Sequence, residues 1–247
     1  IFKNITRLKT SVEVAAISEL VAVQEGEKNS HPFCPDPMKY ISEFDIGDYI
    51  DDKDIFLTDL KNEIDDLEFY DGFAPNSGKS LINGTQTVGN IFKHESNLLN
   101  QLKNFFMKAI DDYKKTHESS NSIIIKNFPD EIELFGWSTK FDKGSGNHFS
   151  HIHPIGWISG AFYLNVPHDI KRHEANIQFD VQGPLPVFNN EINIEKRNIF
   201  PEPGKLVIFP SSLFHCTTPF SSENSYRHAL NFDVQSPYTT NMDISKN

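Results

Sequence analysis

The sequence is poor in the residues that would commit it to a specialised scaffold. Only two cysteines, Cys34 and Cys216, occur in 247 residues, too few and too far apart for a disulfide framework or a zinc ribbon. They fit a reduced, cytoplasmic compartment. Long hydrophobic runs are also missing. Val12 to Val23 and Ile158 to Val166 are short or broken by polar residues, below the roughly 20 apolar residues of a membrane-spanning helix. Thirteen glycines and 14 prolines without a period exclude collagen-like and low-complexity chains. Positive charge is scarce: 23 Lys and Arg face 34 Asp and Glu, a formal net charge of −11. Such a field, with no basic stripe, argues against a nucleic-acid partner. Gly144-Ser145-Gly146 lacks the Lys-Ser/Thr of a phosphate loop and reads as a turn beside strands. The acidic run Asp45 to Asp54 lacks the pattern of a calcium loop and reads as a solvated face.

What is present is a core rich in phenylalanine, 21 residues in all. The chain divides loosely near residue 120, within one structural domain. Residues 1–120 read as a helical and loop-rich region packing on a barrel. Glu25 to Asp71 and the turn-rich Pro75 to Gly84 form its periphery. Leu98, Leu99, Leu102, Phe105, Phe106, Ala109, Ile110 and Tyr113 recur at helical spacing, predicting a helix over Asn90 to Lys115 with one face on a sheet. Residues 121–247 read differently. Short β-rich runs (Ile123 to Ile125, Ile132 to Thr139, Ile158 to Val166, Ile177 to Val181, Leu206 to Phe209, His228 to Val234) alternate with Gly, Pro, Asn and Asp. The pattern predicts an α+β, mainly β fold: a double-stranded or jelly-roll barrel with helices packed on one sheet.

Seven of the ten histidines lie between His148 and His228. In a strand, residues two apart share a face, so His151 and His153 can offer two imidazoles to one metal, while His148 and His151 point to opposite faces. His215 follows Pro203-Gly204 and the apolar run to Pro210, a turn and strand that carry it toward the first pair. An isolated His-x-His is common in surfaces and cores. The pair gains weight from Arg227 on the last apolar strand, where Arg227, Ala229 and Asn231 face one way. A guanidinium turned into a barrel needs an anion, and its planar fork suits a carboxylate.

The strings His151-Ile-His153-Pro154, Trp157 through Asn165, Pro203 through Pro210 with His215, and then Arg227 resemble the iron(II)- and 2-oxoglutarate-dependent oxygenases. The likeness is greatest to a branch related to prolyl hydroxylases and spans roughly Leu134 to Val234. It implies a double-stranded β-helix as catalytic core, Fe(II) as cofactor, 2-oxoglutarate as cosubstrate, and hydroxylation or another oxidation with release of succinate and carbon dioxide. It further implies His151, His153 and His215 as metal ligands and Arg227 as partner of the cosubstrate's far carboxylate. Tyr163 would contact that cosubstrate, and Trp137 and Asn165 would wall the pocket. Trp157 lines the substrate mouth or plugs the barrel end. Cys216 points away and is inert.

The sequence departs from that family twice. Arg227-His228-Ala229 stands where many relatives have Arg-x-Ser, and His153 stands at the carboxylate position of a two-histidine, one-carboxylate triad. Three neutral imidazoles leave the metal charge uncompensated and admit zinc, nickel or copper as competitors. Asp142, Asp180 or Asp233 are the candidates for a carboxylate supplied from another strand. Two alternatives stay open: a cupin-type three-histidine dioxygenase or isomerase working without 2-oxoglutarate, and a non-catalytic β-barrel binding protein. The expected substrate is a small molecule or peptide, with no membrane partner and a homodimer as the candidate assembly.

Overall fold

The computed structural model describes residues 11–29, 31–71, 80–141, 146–185, 193–222 and 225–236. In chain order the elements are α1 (Val12–Glu25), β1 (Ser42–Asp45), α2 (Lys53–Asp65), β2 (Phe69–Asp71), β3 (Leu81–Ile82), β4 (Gly84–Thr87), α3 (Asn97–Thr116) and α4 (Ile123–Lys126). The strands β5 (Glu133–Phe141), β6 (Asn147–His148), β7 (Ile158–Asn165), β8 (Ile177–Asp180), β9 (Arg197–Ile199), β10 (Lys205–Pro210), β11 (Phe214–Thr217) and β12 (Arg227–Gln235) follow. A seven-stranded antiparallel sheet has the order β1-β10-β7-β12-β5-β4-β2, a three-stranded sheet the order β11-β8-β9, and β3 pairs with β6.

Period-2 alternation along the central strands sorts the core into two layers. Phe162, Leu164, Leu206, Ile208, Leu230, Phe232 and Val234 face the helices. Ala161, Tyr163, Val207, Phe209 and Ala229 face Ile177, Phe179 and Ile199 of the smaller sheet. Both faces of the large sheet are therefore covered, which is why β7 and β10 read as nearly continuous apolar runs. Phe106 of α3 joins the outer layer, its ring 4.6 Å from that of Phe232 and 5.6 Å from that of Phe162. Burying each such ring contributes about 1.5–3 kcal/mol.

The helix expected over Asn90 to Lys115 begins only at Asn97, where the Ser96 hydroxyl accepts from the N–H of Leu99 at 3.1 Å. Asn90 is occupied elsewhere: its side chain accepts from Phe92 and Gly136 N–H and donates to the Leu134 carbonyl. It thereby stitches the preceding turn to β5. Ile123 to Ile125, read as a strand from its β-branched residues, is instead the helical turn α4. The N–H groups of Ile123 and Ile124 bond to the carbonyls of Pro32 and Phe33, and Ile124 is fully buried. Tertiary pairing overrides local propensity there. The acidic stretch Glu25 to Asp71 is likewise more than periphery, since it supplies edge strand β1, paired with β10, and helix α2, whose Phe56, Leu57, Leu60 and Ile64 are buried in the core. No helix among the described residues is long and apolar enough to cross a membrane.

Candidate active site

Between the two sheets lies a cavity of about 440 Å³, bordered by His151, His153, His215, Trp137, Arg227 and Asp233 among others. Its size suits a small molecule. The backbone brings the histidines together. His151 and His215 form an isolated antiparallel bridge in which each N–H donates to the other's carbonyl, at 3.1 and 3.0 Å. His153 N–H donates to the Ser211 carbonyl at 3.0 Å. The ring centroids of His151 and His215 are 4.3 Å apart, those of His153 and His215 4.9 Å, and those of His151 and His153 5.1 Å.

Each imidazole is oriented by a partner at Nδ1. That of His151 lies 2.8 Å from the Phe149 carbonyl, that of His215 3.1 Å from the Leu213 carbonyl, and that of His153 2.5 Å from Asp233 Oδ1. Carbonyls and carboxylates only accept, so all three Nδ1 atoms donate, and in a neutral imidazole that leaves Nε2 as the lone pair. The Nε2 atoms of His151 and His153 are 3.2 Å apart. Two nitrogens at that distance share either a proton or a cation. The separation is that of adjacent nitrogen ligands each about 2.0–2.1 Å from one ion. One ligand atom from each of the three residues falls within 4.8 Å of the others, so the set could hold a metal. Burial, followed by the neighbouring His153, pulls His151 down to about 3, and burial holds His215 well below the ordinary histidine range. Both are neutral at pH 7, the form that ligates.

Arg227 borders the same cavity and is 3% exposed. Its guanidinium carbon stands 5.1 Å from the Tyr163 ring and 5.5 Å from the Phe141 ring, and its Nε has no hydrogen-bond partner among the described residues. Burial lowers its pKa from the ordinary value. A buried guanidinium with an unpaired N–H is costly unless an anion reaches it. The donor set and this orphaned group therefore fit a metal together with a carboxylate ligand.

The remaining residues singled out from the sequence separate clearly. Trp137 borders the cavity, its ring 5.6 Å from that of His153. Asn165 is not part of the lining; its amide donates to the Tyr226 carbonyl at 2.5 Å and ties down the approach to β12. Trp157 is a plug, buried against Phe33 with its indole N–H donated to the Ile124 carbonyl at 2.8 Å. Cys216 is half-buried at the cavity border, and burial raises its thiol pKa. Asp180 accepts from the N–H groups of Gln182 and Gly183 in a turn, whereas Asp142, Gly144 and Ser145 lie outside the described residues. Asp233 contacts His153 rather than joining the histidine cluster.

The sequence reading misplaced His148 and named Asp233 only as a candidate metal carboxylate. His148, placed on the face opposite His151, has its ring 5.5 Å from it, because β6 ends at His148 and the chain turns before the His151 bridge. Its Nδ1 lies 2.9 Å from the Ser80 hydroxyl, and burial holds it well below the ordinary range. Asp233 as partner of His153 was in principle legible, since it continues the alternate series Arg227, Ala229, Asn231 on β12.

Residues 136–233, which enclose all three histidines and Arg227, match the family described as Putative 2OG-Fe(II) oxygenase. This segment is similar to the core of the iron(II)- and 2-oxoglutarate-dependent oxygenases. No curated protein matches the sequence. Among solved structures, this chain is similar to a prolyl hydroxylase of Trichoplax adhaerens in complex with a hypoxia inducible factor peptide fragment. The TM-score is 0.54 at 13% identity, covering 96% of this chain and 94% of that one. It is also similar to HygX of Streptomyces hygroscopicus with nickel and 2-oxoglutarate bound (TM-score 0.52, 11% identity, 80% and 83% covered). A third likeness is a prolyl-4-hydroxylase of Pseudomonas putida (0.51, 13%, 79% and 91%). These likenesses establish the fold as a double-stranded β-helix.

Proposed function

We propose that this protein is an iron(II)- and 2-oxoglutarate-dependent oxygenase that hydroxylates a small molecule or peptide, consuming 2-oxoglutarate and oxygen and releasing succinate and carbon dioxide. The observation that carries this reading is one cavity holding three imidazoles with their Nε2 atoms clustered and a buried guanidinium whose Nε has no partner among the described residues. His151, His153 and His215 would hold the iron, which when bound supplies the redox chemistry coupling decarboxylation to substrate oxidation. Arg227 would take the far carboxylate of 2-oxoglutarate in a charge-assisted fork, with Tyr163 packed beneath it. Trp137 and Phe135 wall the site and exclude water from the reacting groups. At the cavity rim Phe149 and Ile155 are 46% and 52% exposed. Two exposed apolar side chains at a site mouth suit an apolar portion of the substrate. The two free thiols are consistent with a cytoplasmic setting.

The absence of a carboxylate from the histidine cluster among the described residues favours, as a second reading, a cupin-type reaction without 2-oxoglutarate. The two are separated by adding Fe(II) anaerobically to metal-free protein and titrating 2-oxoglutarate. A weak, saturable visible charge-transfer band that Arg227→Ala weakens is expected. No band despite demonstrated iron binding would overturn the proposal and leave the cupin reading.

A further inference from the structure

His153 occupies the position where this family's triad carries a carboxylate, yet the carboxylate has not vanished from the site. Asp233 Oδ1 lies 2.5 Å from His153 Nδ1, on the side of the ring away from His151. Asp233 is 5% exposed and is itself held in place: the Ser159 hydroxyl donates to the same oxygen at 2.7 Å, and the Ser159 and Ser211 hydroxyls are 2.7 Å apart. Ser159 Oγ also lies 3.1 Å from His153 Nδ1. Its β12 position pairs with Ser159 on β7 and Phe135 on β5, so the carboxylate is anchored by the two central strands of the sheet. The other two histidines lean on backbone carbonyls, which are neutral. Only His153 leans on a charge.

We infer that Asp233 is a positioning residue for the metal site, supplying through the His153 ring the negative charge that a directly ligating carboxylate supplies elsewhere in the family. This rests on the reading that the three histidines hold the metal. The physical reason is twofold. A carboxylate accepting from Nδ1–H fixes the tautomer that leaves Nε2 free, and it makes that nitrogen a more basic donor. The short, buried contact makes the bond charge-assisted and strong. The metal therefore meets three imidazoles, one of them electron-enriched, and the centre keeps an anion within one ring of the ion.

The test uses Co(II) as probe, titrated into the metal-free full chain and read by its visible absorption. Asp233→Asn, nearly isosteric, carries the measurement because it keeps the shape and hydrogen-bonding capacity of the site while removing the charge. Asp233→Ala removes both. Expected is a Co(II) affinity roughly 10- to 100-fold weaker in the variants, with Asp233→Ala at the weaker end. Long-range proton–nitrogen NMR of the metal-free proteins should show His153 as a single Nδ1–H tautomer in wild type and as a tautomer mixture in Asp233→Ala. A structural role alone would change neither the affinity of a folded variant nor the tautomer. Wild-type affinity in a folded Asp233→Asn, with His153 still a single Nδ1–H tautomer in a folded Asp233→Ala, overturns the inference and leaves the three-histidine site standing. A wild-type chain that takes up no Co(II) overturns the site reading itself.

Discussion

The backbone N–H of His151 donates to the carbonyl of His215, and that of His215 donates back, at 3.1 and 3.0 Å. Two residues remote in sequence thus form one hydrogen-bonded antiparallel pair, and their rings meet because their backbones do. The backbone pairing thus sets two of the three candidate metal-ligating imidazoles side by side.

Removing a ligand should therefore cost metal and spare the fold. His215→Ala is expected to unfold near the wild-type temperature when metal-free, because the bridge is backbone only. At a free Co(II) concentration 100 times the dissociation constant, wild type gains about 2.7 kcal/mol. The variant should gain almost none at the same concentration. Calorimetric melting with and without Co(II) reads both numbers, and full metal stabilisation of His215→Ala would remove it from the site.

Restoring a carboxylate at position 153 should fail while Asp233 is present. His153→Asp brings two carboxylates together in a buried setting, where like charges cannot both ionise freely. Weaker Co(II) binding than wild type is expected for His153→Asp, with recovery in the double variant His153→Asp/Asp233→Asn. Tighter binding by the single variant would contradict the charge relationship argued for this pair.

His228, adjacent to Arg227 in sequence, faces the other side of the large sheet and is fully buried, with its Nε2 2.5 Å from the Ser138 hydroxyl. Burial, then the Lys140 charge, lowers it to about 3. Its neutral form is favoured in the fold, while the unfolded chain takes up a proton near pH 6.5. Stability from this group is complete above about pH 6.5 and declines as pH falls toward about 3. The slope is at most about 1.4 kcal/mol per pH unit for one group. Urea unfolding of metal-free His228→Asn between pH 7.5 and 4.5 should show a shallower acid loss than wild type. Equal slopes would show that His228 does not carry it.

Gly160 on β7 is a packing constraint. A Cβ there would press into the Phe232 ring, closer than van der Waals contact allows, and that ring is wedged between β7 and α3. Gly160→Ala is expected to lower stability by about 1–3 kcal/mol, measurable by denaturant unfolding, with no effect on the tautomer of His153.

Much of the site was legible because strand alternation is local chemistry. Placing His151 and His153 on one face, and Arg227 in line with Asn231, needs only the two-residue repeat of an extended chain. The same rule misplaced His148, since it assumes a continuous strand where the chain turns. Propensity misread Ile123 to Ile125, because hydrogen bonds donated to the carbonyls of Pro32 and Phe33, not the isoleucines' own preference, set that backbone.

The sequence by itself determined the β-rich second half, the apolar face of α3, the two-residue spacing of the paired histidines and the Arg227 strand, all of which follow from neighbours a few residues apart. Only the tertiary structure decided that His215 closes on His151, that the Arg227 Nε lacks a partner among the described residues, and that Asp233 stands behind His153 while Asp180 caps a turn. Those outcomes depend on which strands pair and in what register, and strand pairing joins residues whose proximity no local pattern encodes.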